Sequence, residues 1–533
     1  MSKFTQNFKT QANTTYTENG RIAKKSTGSG LVNLFSTIGA LRQDGSFDKE
    51  RLKELVLAAW REDPLKTLKI IFYARDIREG LGEREIAKES LNILNNYGYG
   101  DAVKQNLQFL PYVGRWDDLY AFMNTKLMPT CWEIMKEQWE TDIDLYEHRD
   151  LMHNPEISLL AKWIKTPDAS SERTRNLGIV TALELEGDVR SFKRKLRKLR
   201  EYIKIVERQM SANEWDKIDY EKLPSRAMHV HNKAFLKHDS DRFTDYISAV
   251  TKGEKKINSN TLYPYEVISP YLESMCSSIW SDMEYNSEEI NDALIEAQWK
   301  ALPDVVNSEN NFLVVADVSG SMFTNHAIDK SISLAIYFAE RNRGDFHNLF
   351  MSFSSDPEFV DLSEATTLRA KIKAAREVAG FGTNLAKCFQ ELLDFSVDYN
   401  VPAEDMPKSM IVISDMEIDS GEMRTCYISH RNFIDYDCMV DGKFNPVYFM
   451  DEMEELYKEH GYALPNIVFW NVNSRQQVFH ADANQPNVQL VSGSSTNTFK
   501  LLIDSLNYTP YEIMMKAISN ERYNFVTLPD KYK

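Results

Sequence analysis

Apolar positions along the chain fall into two regimes. From about residue 31 to 280 they recur at helical spacing. In Phe47-Asp-Lys-Glu-Arg-Leu-Lys-Glu-Leu-Val-Leu57, after a Gly-Ser, they mark one face at three- and five-residue steps. Comparable segments lie near 63–75, 83–96, 101–110, 116–125, 130–143, 156–164, 171–186 and 191–209, separated by short loops. Successive amphipathic helices with short connections predict a HEAT-like α-solenoid or an irregular helical array, although no clean repeat is visible. After residue 300 the pattern changes. Phe312-Leu-Val-Val-Ala, Leu349-Phe-Met-Ser-Phe, Met410-Ile-Val-Ile and Ile467-Val-Phe-Trp are short, nearly continuous apolar runs, with helical stretches near 325–341, 385–397 and 450–460 between them. Runs of this kind are buried parallel strands, so a doubly wound α/β domain is expected over 305–515. The expected organisation is therefore α plus α/β: an extended arm over 1–30, a helical module over 31–300, the α/β domain and a tail over 516–533. A patternless surface insertion is expected at 419–448.

Composition narrows the picture. Gly (21) and Pro (17) are scarce in 533 residues, which disfavours a turn-rich all-β protein. The five cysteines (Cys131, Cys276, Cys388, Cys426, Cys438) form no CxxC pair, which excludes a zinc ribbon and fits a reducing compartment. The polar N-terminus lacks the apolar core of a signal peptide, and no apolar run reaches the ~20 residues of a membrane span. A cytoplasmic, monomeric protein without membrane contact is the expectation. The net charge of −16 argues against a nucleic-acid binder only if it is evenly spread. It is not: residues 301–533 carry 33 acids against 19 bases, whereas residues 1–280 sit near +3.

Asp317-Val-Ser-Gly-Ser321 follows the first buried strand, at the sheet edge where open α/β folds bind ligands. One carboxylate and two hydroxyls at two-residue spacing suit a hard divalent cation. Thr383, in Gly380-Phe-Gly-Thr-Asn, and Asp415, ending Met410-Ile-Val-Ile-Ser-Asp, supply two further oxygens. This ordered set resembles the metal-ion-dependent adhesion site of von Willebrand factor A domains. The resemblance covers about 200 residues and implies that Asp317, Ser319, Ser321, Thr383 and Asp415 surround Mg²⁺ or another divalent ion such as Mn²⁺, some of them through water. Three neutral hydroxyls leave such an ion electrophilic, with a position open to an acidic side chain or a phosphate. The alternative is a structural Asp-Ser turn. His326 nearby reads as a solvated helix cap.

In the helical half, Arg75-Asp-Ile-Arg-Glu-Gly-Leu-Gly-Glu-Arg84, Gly114-Arg-Trp-Asp-Asp-Leu119, Ile157-Ser-Leu-Leu-Ala-Lys-Trp-Ile and Ser170-Ser-Glu-Arg-Thr-Arg175 resemble segments of the TROVE module. That module is the ring-shaped helical-repeat RNA-binding part of Ro ribonucleoproteins, where it precedes a von Willebrand factor A domain. The whole chain also resembles a bacterial and viral family of this two-part layout, through Leu223-Pro-Ser-Arg-Ala-Met228, Lys233-Ala-Phe-Leu-Lys-His-Asp239 and Ile257-Asn-Ser-Asn-Thr-Leu-Tyr-Pro264. By residue chemistry alone, Arg75, Arg78 and Arg115 read as members of structural ion pairs.

The best phosphate-binding candidate is Ser191–Lys204. Phe192, Leu196, Leu199 and Ile203 form one helical face, and Lys193, Arg194, Lys195, Arg197, Lys198, Arg200 and Lys204 project from the rest. Its alternative is a merely solvated basic face, or one paired with the acidic domain. A second cluster, Arg226, His229, His231, Lys233, Lys237 and His238, offers groups that bond phosphates and stack on unpaired bases. By the resemblance it lies where the helical ring approaches single-stranded RNA; its alternatives are plain surface charge or a histidine metal cluster. The leading expectation is a noncatalytic RNA-binding protein with a metal-binding C-terminal domain whose open metal position could take an acidic protein ligand. The competing one is a metal-dependent adaptor on a helical scaffold. A nuclease is disfavoured because no HExxH, Walker, GxSxG or paired-carboxylate motif stands in a suitable context.

Overall fold

A computed structural model describes residues 9–42, 46–280, 291–306, 311–378, 382–419, 439–440, 443–444, 449–502 and 507–532. Most of the expected insertion at 419–448, and Gly380 of the Thr383 loop, lie outside these residues. The chain forms two compact units: Met1–Ile70 with Tyr263–Asn520, and Ile71–Leu262 with Glu521–Lys533.

The first unit holds the sheet. Its strands are β3 (Phe312–Asp317), β4 (Leu349–Phe353), β5 (Phe359–Asp361), β6 (Ser409–Ser414), β9 (Asn466–Asn471) and β10 (Val488–Ser492), preceded by β1 (Thr14–Tyr16) and β2 (Ile22–Lys24). A two-residue pair, β7 (Met439–Val440) and β8 (Lys443–Phe444), interrupts the series. The spatial order is β10-β9-β6-β3-β4-β5, parallel throughout except for β5 against β4. All four apolar runs are strands of this sheet. β3 and β6 are buried at every position, as continuous rather than alternating hydrophobicity requires. β4 and β6 flank β3 on opposite sides, so the chain reverses direction across the sheet there and opens a crevice at the carboxyl ends of β3 and β6.

Residues 9–62 also belong to this unit, whereas the sequence pattern assigned 1–30 to an extended arm and 31–62 to the helical module. The physical reason is burial. Every residue from Leu31 to Ile38 in helix Gly30–Ile38 is buried, and the helix closes on edge strand β10, where Gly39 N–H donates to Ser492 Oγ (3.0 Å). Glu62, at the end of helix Lys49–Glu62, accepts from Ser29 Oγ (2.6 Å) and Gly30 N–H (2.5 Å), placing a carboxylate on the amino end of helix Gly30–Ile38. The arm is a hairpin of β1 and β2 whose bridges run to Asp419 and Phe479.

The second unit is helical, with Arg84–Leu94, Met128–Glu147, Glu172–Glu186, Val189–Tyr202, Ser225–His238 and Ser240–Thr251 among its helices. The 116–125 segment is a 3-10 helix, Trp116–Phe122, and 156–164 keeps only Leu160–Trp163. Its centre is a buried charge network. Arg75 contacts Asp118 Oδ2 through Nε (2.8 Å) and Nη2 (2.5 Å), while Arg84 reaches Asp118 Oδ1 (2.7 Å) and Asp117 (2.7 Å). A Cβ at Gly114 would stand 2.5 Å from Asp118 Oδ2, so glycine is required there. The Arg-Glu-Gly-Leu-Gly and Gly-Arg-Trp-Asp-Asp strings thus build one core. Residues 521–533 of the expected tail are part of it: Arg522 and the Tyr523 hydroxyl bind Asp76, and Phe525 packs on Phe72 and Phe109 at 5.4 and 4.6 Å.

Candidate metal centre and nucleic-acid interface

Asp317 ends β3 and is fully buried. Its Oδ1 accepts from Ser319 N–H (3.0 Å), which tightens the turn, and its Oδ2 accepts from Ser414 Oγ (2.6 Å) at the end of neighbouring β6. Ser319 and Ser321 hydroxyls lie 3.1 Å apart. Asp415 follows β6, accepts from Glu417 N–H (3.1 Å), and interacts electrostatically with Asp317 and with the Ser321 hydroxyl. These four expected residues are contiguous. Thr383 joins them indirectly: its hydroxyl donates to Asp419 Oδ1 (2.8 Å) and lies 3.1 Å from the Glu417 carbonyl.

The electrostatics describe a site short of positive charge. Burial, then the nearby Asp415 carboxylate, pushes the Asp317 carboxyl up to about 7. Burial raises Asp415 as well, against the opposing pull of Arg475. Burial also carries Glu417 to about 7. Asp415 Oδ2 and Glu417 Oε1 make no hydrogen bond. Two buried carboxylates beside hydroxyls, with Arg475 on Asp415 Oδ2 as their close cation, fit a hard divalent cation. Asp317, Ser319, Ser321 and Asp415 would hold it. Among the described residues no group of three or more His, Cys, Asp or Glu is arranged for a metal, so the three histidines of the second cluster form no such site. His326 precedes helix Ala327–Arg341, is exposed, and contacts Asp329 (2.9 Å), as a solvated cap does.

Several residues at the site carry no motif of their own. Arg475, after β9, lies 3.0 Å from Asp415 Oδ2 and 2.6 Å from Glu18. Glu18 N–H donates to Glu417 Oε2 (2.7 Å), and Asn19 Nδ2 donates to Thr383 Oγ1 (2.9 Å) and the Glu417 carbonyl (2.7 Å). The short Asp415-to-Glu417 step was the one local signal. Arg475 and the arm are distant in sequence and invisible to spacing.

In the helical unit, Phe192, Leu196 and Leu199 are buried, and Phe192 stacks on Trp139 at 5.1 Å. Lys193, Arg194, Arg197 and Lys198 are exposed, although Lys193 pairs with Asp168. Lys195 is half-buried against Glu186 (2.8 Å), which also accepts from Trp139 Nε1 (2.7 Å). Arg200 donates to the Ala161 carbonyl (2.8 Å). Lys195 and Arg200 are therefore structural. In the second cluster Arg226, Lys233, Lys237 and His238 are exposed, with His238 stacked on Trp215 at 4.6 Å. His231 is half-buried, 4.0 Å from Glu207. Arg115 covers the Trp163 ring at 4.3 Å.

Beside the basic helix opens a cleft of about 980 Å³, lined among others by Tyr146, Arg149, Asn154, Lys198, Tyr202 and Lys204. Arg149 sits over Tyr146 at 4.5 Å, and Tyr146 meets Tyr202 edge to face at 5.6 Å. Cations around aromatic rings are what an unpaired nucleic-acid strand requires.

An uncharacterized protein of Acanthamoeba polyphaga mimivirus is 25% identical, over 95% of this chain and 87% of its own length. The crystal structure of the Deinococcus radiodurans RO (RSR) protein matches with a TM-score of 0.38 at 14% identity, covering 93% of this chain and all of that one. Residues 311–525 match the model for Domain of unknown function (DUF7788), and residues 17–97 and 126–311 match that for Domain of unknown function (DUF2828). The second match spans half of the chain, and the protein belongs to the DUF2828 family.

Proposed function

We propose that the protein is a noncatalytic RNA-binding protein of Ro-like architecture, taking RNA on its helical unit and Mg²⁺ or Mn²⁺ beside Asp317. The observation that carries the RNA reading is the continuity of chemistry from helix Val189–Tyr202 into the adjoining cleft. Exposed Arg194, Arg197 and Lys198 lead to Tyr146, Arg149, Tyr202 and Lys204. Cations there would track phosphates, and the tyrosines would meet bases. The metal reading rests on the buried, charge-deficient pair Asp317 and Asp415. Recovering and sequencing nucleic acid that co-purifies with the protein tests the reading: RNA is expected, and its absence at low salt overturns it. Metal-dependent RNA cleavage lost in Asp317→Ala would overturn the noncatalytic part. One observation favours the adaptor alternative. A carboxylate, Glu18, already rests at the metal face through Arg475, so the site tolerates an acidic ligand.

A further inference from the structure

Three segments distant in sequence converge on Asp415. The loop after β9 carries Arg475 and is gripped by Arg51 of helix Lys49–Glu62, whose guanidinium donates to the Ser474 carbonyl (3.0 Å), Ser474 Oγ (2.6 Å) and the Gln476 carbonyl (2.5 Å). Ser474 N–H donates to the Ala40 carbonyl (2.8 Å). Held this way, Arg475 presents its guanidinium to Asp415 Oδ2, an oxygen without a hydrogen bond of its own, and clasps Glu18 with the same group. Around Glu18 the arm is locked by Thr17 Oγ1 to the Ile418 carbonyl (2.6 Å), Asn19 to Thr383 and Glu417, and the Gly20–Asp419 bridge. Every stretch touched, Thr383 and Asp415 to Asp419, belongs to the candidate metal site or follows it directly.

From this we infer that Arg475 is a tethered counter-cation of the metal site, and that a divalent ion and the Asp415–Arg475–Glu18 bridge exclude one another. Metal loading then frees residues 17–20 from the site. The inference rests on the metal reading above. A divalent cation drawn to Asp415 would stand beside a guanidinium 3.0 Å from the same carboxylate, and the repulsion between the two positive groups weakens the Arg475 contact. The dication supplies twice the charge to Asp317 and Asp415, whereas Arg475 touches only the latter. Arg475 leaves at low cost because it is partly solvent-exposed and departs already paired with Glu18, so neither charge is stranded. The arm is thereby the resident occupant of the face that an acidic ligand would use, and its release makes that face available.

The test uses the full-length chain and Mn²⁺ alone, with binding followed by calorimetry and amide exchange followed over residues 14–24. Arg475→Gln is expected to bind Mn²⁺ about tenfold more tightly than the wild type, whereas Glu18→Gln, which leaves Arg475 with Asp415 alone, is expected to bind it less tightly. Mn²⁺ should speed exchange of the Glu18 amide in the wild type, and Asp317→Asn should abolish both responses. Binding seen in Arg475→Gln but not in the wild type also supports the exchange. Asp317-dependent binding that is no tighter in Arg475→Gln, or that leaves the arm's exchange unchanged, overturns the inference while the metal reading stands. No Mn²⁺ binding in the wild type or in either bridge variant overturns both.

Discussion

At the scale of single residues, the fold is defined by charged and polar groups deprived of water. Asp118 holds two arginines, and Arg75 is itself buried. Burial alone would raise the Asp118 carboxyl, but Arg75 and Arg84 more than offset it and hold it below the usual range. Asp118→Asn leaves Arg75 as an uncompensated buried cation and should cost about 3–5 kcal/mol in denaturant unfolding. His480 is the opposite case: buried, with Nε2 3.1 Å from the Met416 carbonyl, and pushed down to about 4 by desolvation. Unfolded, it takes a proton below its ordinary 6.5; folded, it stays neutral until about 4. The unfolded state therefore binds more protons in that window, and stability is lost as pH falls from about 6.5 to 4. The stability gap between wild type and His480→Gln should shrink by about 3 kcal/mol from pH 7 to pH 4. A pH-independent gap would contradict this.

At the scale of elements, periodicity identified strands and helices well where one physical requirement dominated. β3 and β6 read as continuous apolar runs because helices and neighbouring strands bury both faces. β10 escaped notice because polar Gln489 and Ser492 sit in Val488-Gln-Leu-Val-Ser, although every residue of the strand is buried. Helix Gly30–Ile38 stood apart from none of its neighbours in the helical pattern that begins near residue 31, since periodicity reports that a face is buried and not what buries it. The basic helix shows the same limit for charge. Its apolar stripe was visible in the sequence, but the division of its cations between structural and free roles was not, because Glu186 and Asp168 approach from other elements. Lys195→Glu should destabilise the protein by about 1–3 kcal/mol, by facing Glu186 with a like charge. Arg197→Glu should stay within about 0.5 kcal/mol in the same unfolding experiment. Equal effects would mean the two cations share one role.

At the scale of the whole molecule, the chain order does not match the physical order of its parts. Residues 1–70 complete the sheet unit, and residues 521–533 complete the helical one. The candidate metal-site motif was readable as a spacing within 317–415, yet the groups that attend it, Glu18 and Arg475, lie 299 residues before Asp317 and 60 after Asp415. No local pattern connects them. The same separation applies to charge: −16 is a sum over an acidic C-terminal region and a mildly basic remainder. No helix among the described residues is long and apolar enough to cross a membrane. The proposed division of labour places RNA on the helical unit, and counterion release supplies its sharpest signature. The decisive measurement is the affinity of the full chain for a single-stranded RNA across a salt series, in the wild type and in a variant with Arg194, Arg197 and Lys198 changed to Glu. Binding should weaken with salt, with a logarithmic slope shallower by about 2 in the variant, from roughly 0.7 per lost phosphate contact. An affinity and slope that the three reversals leave unchanged would contradict it.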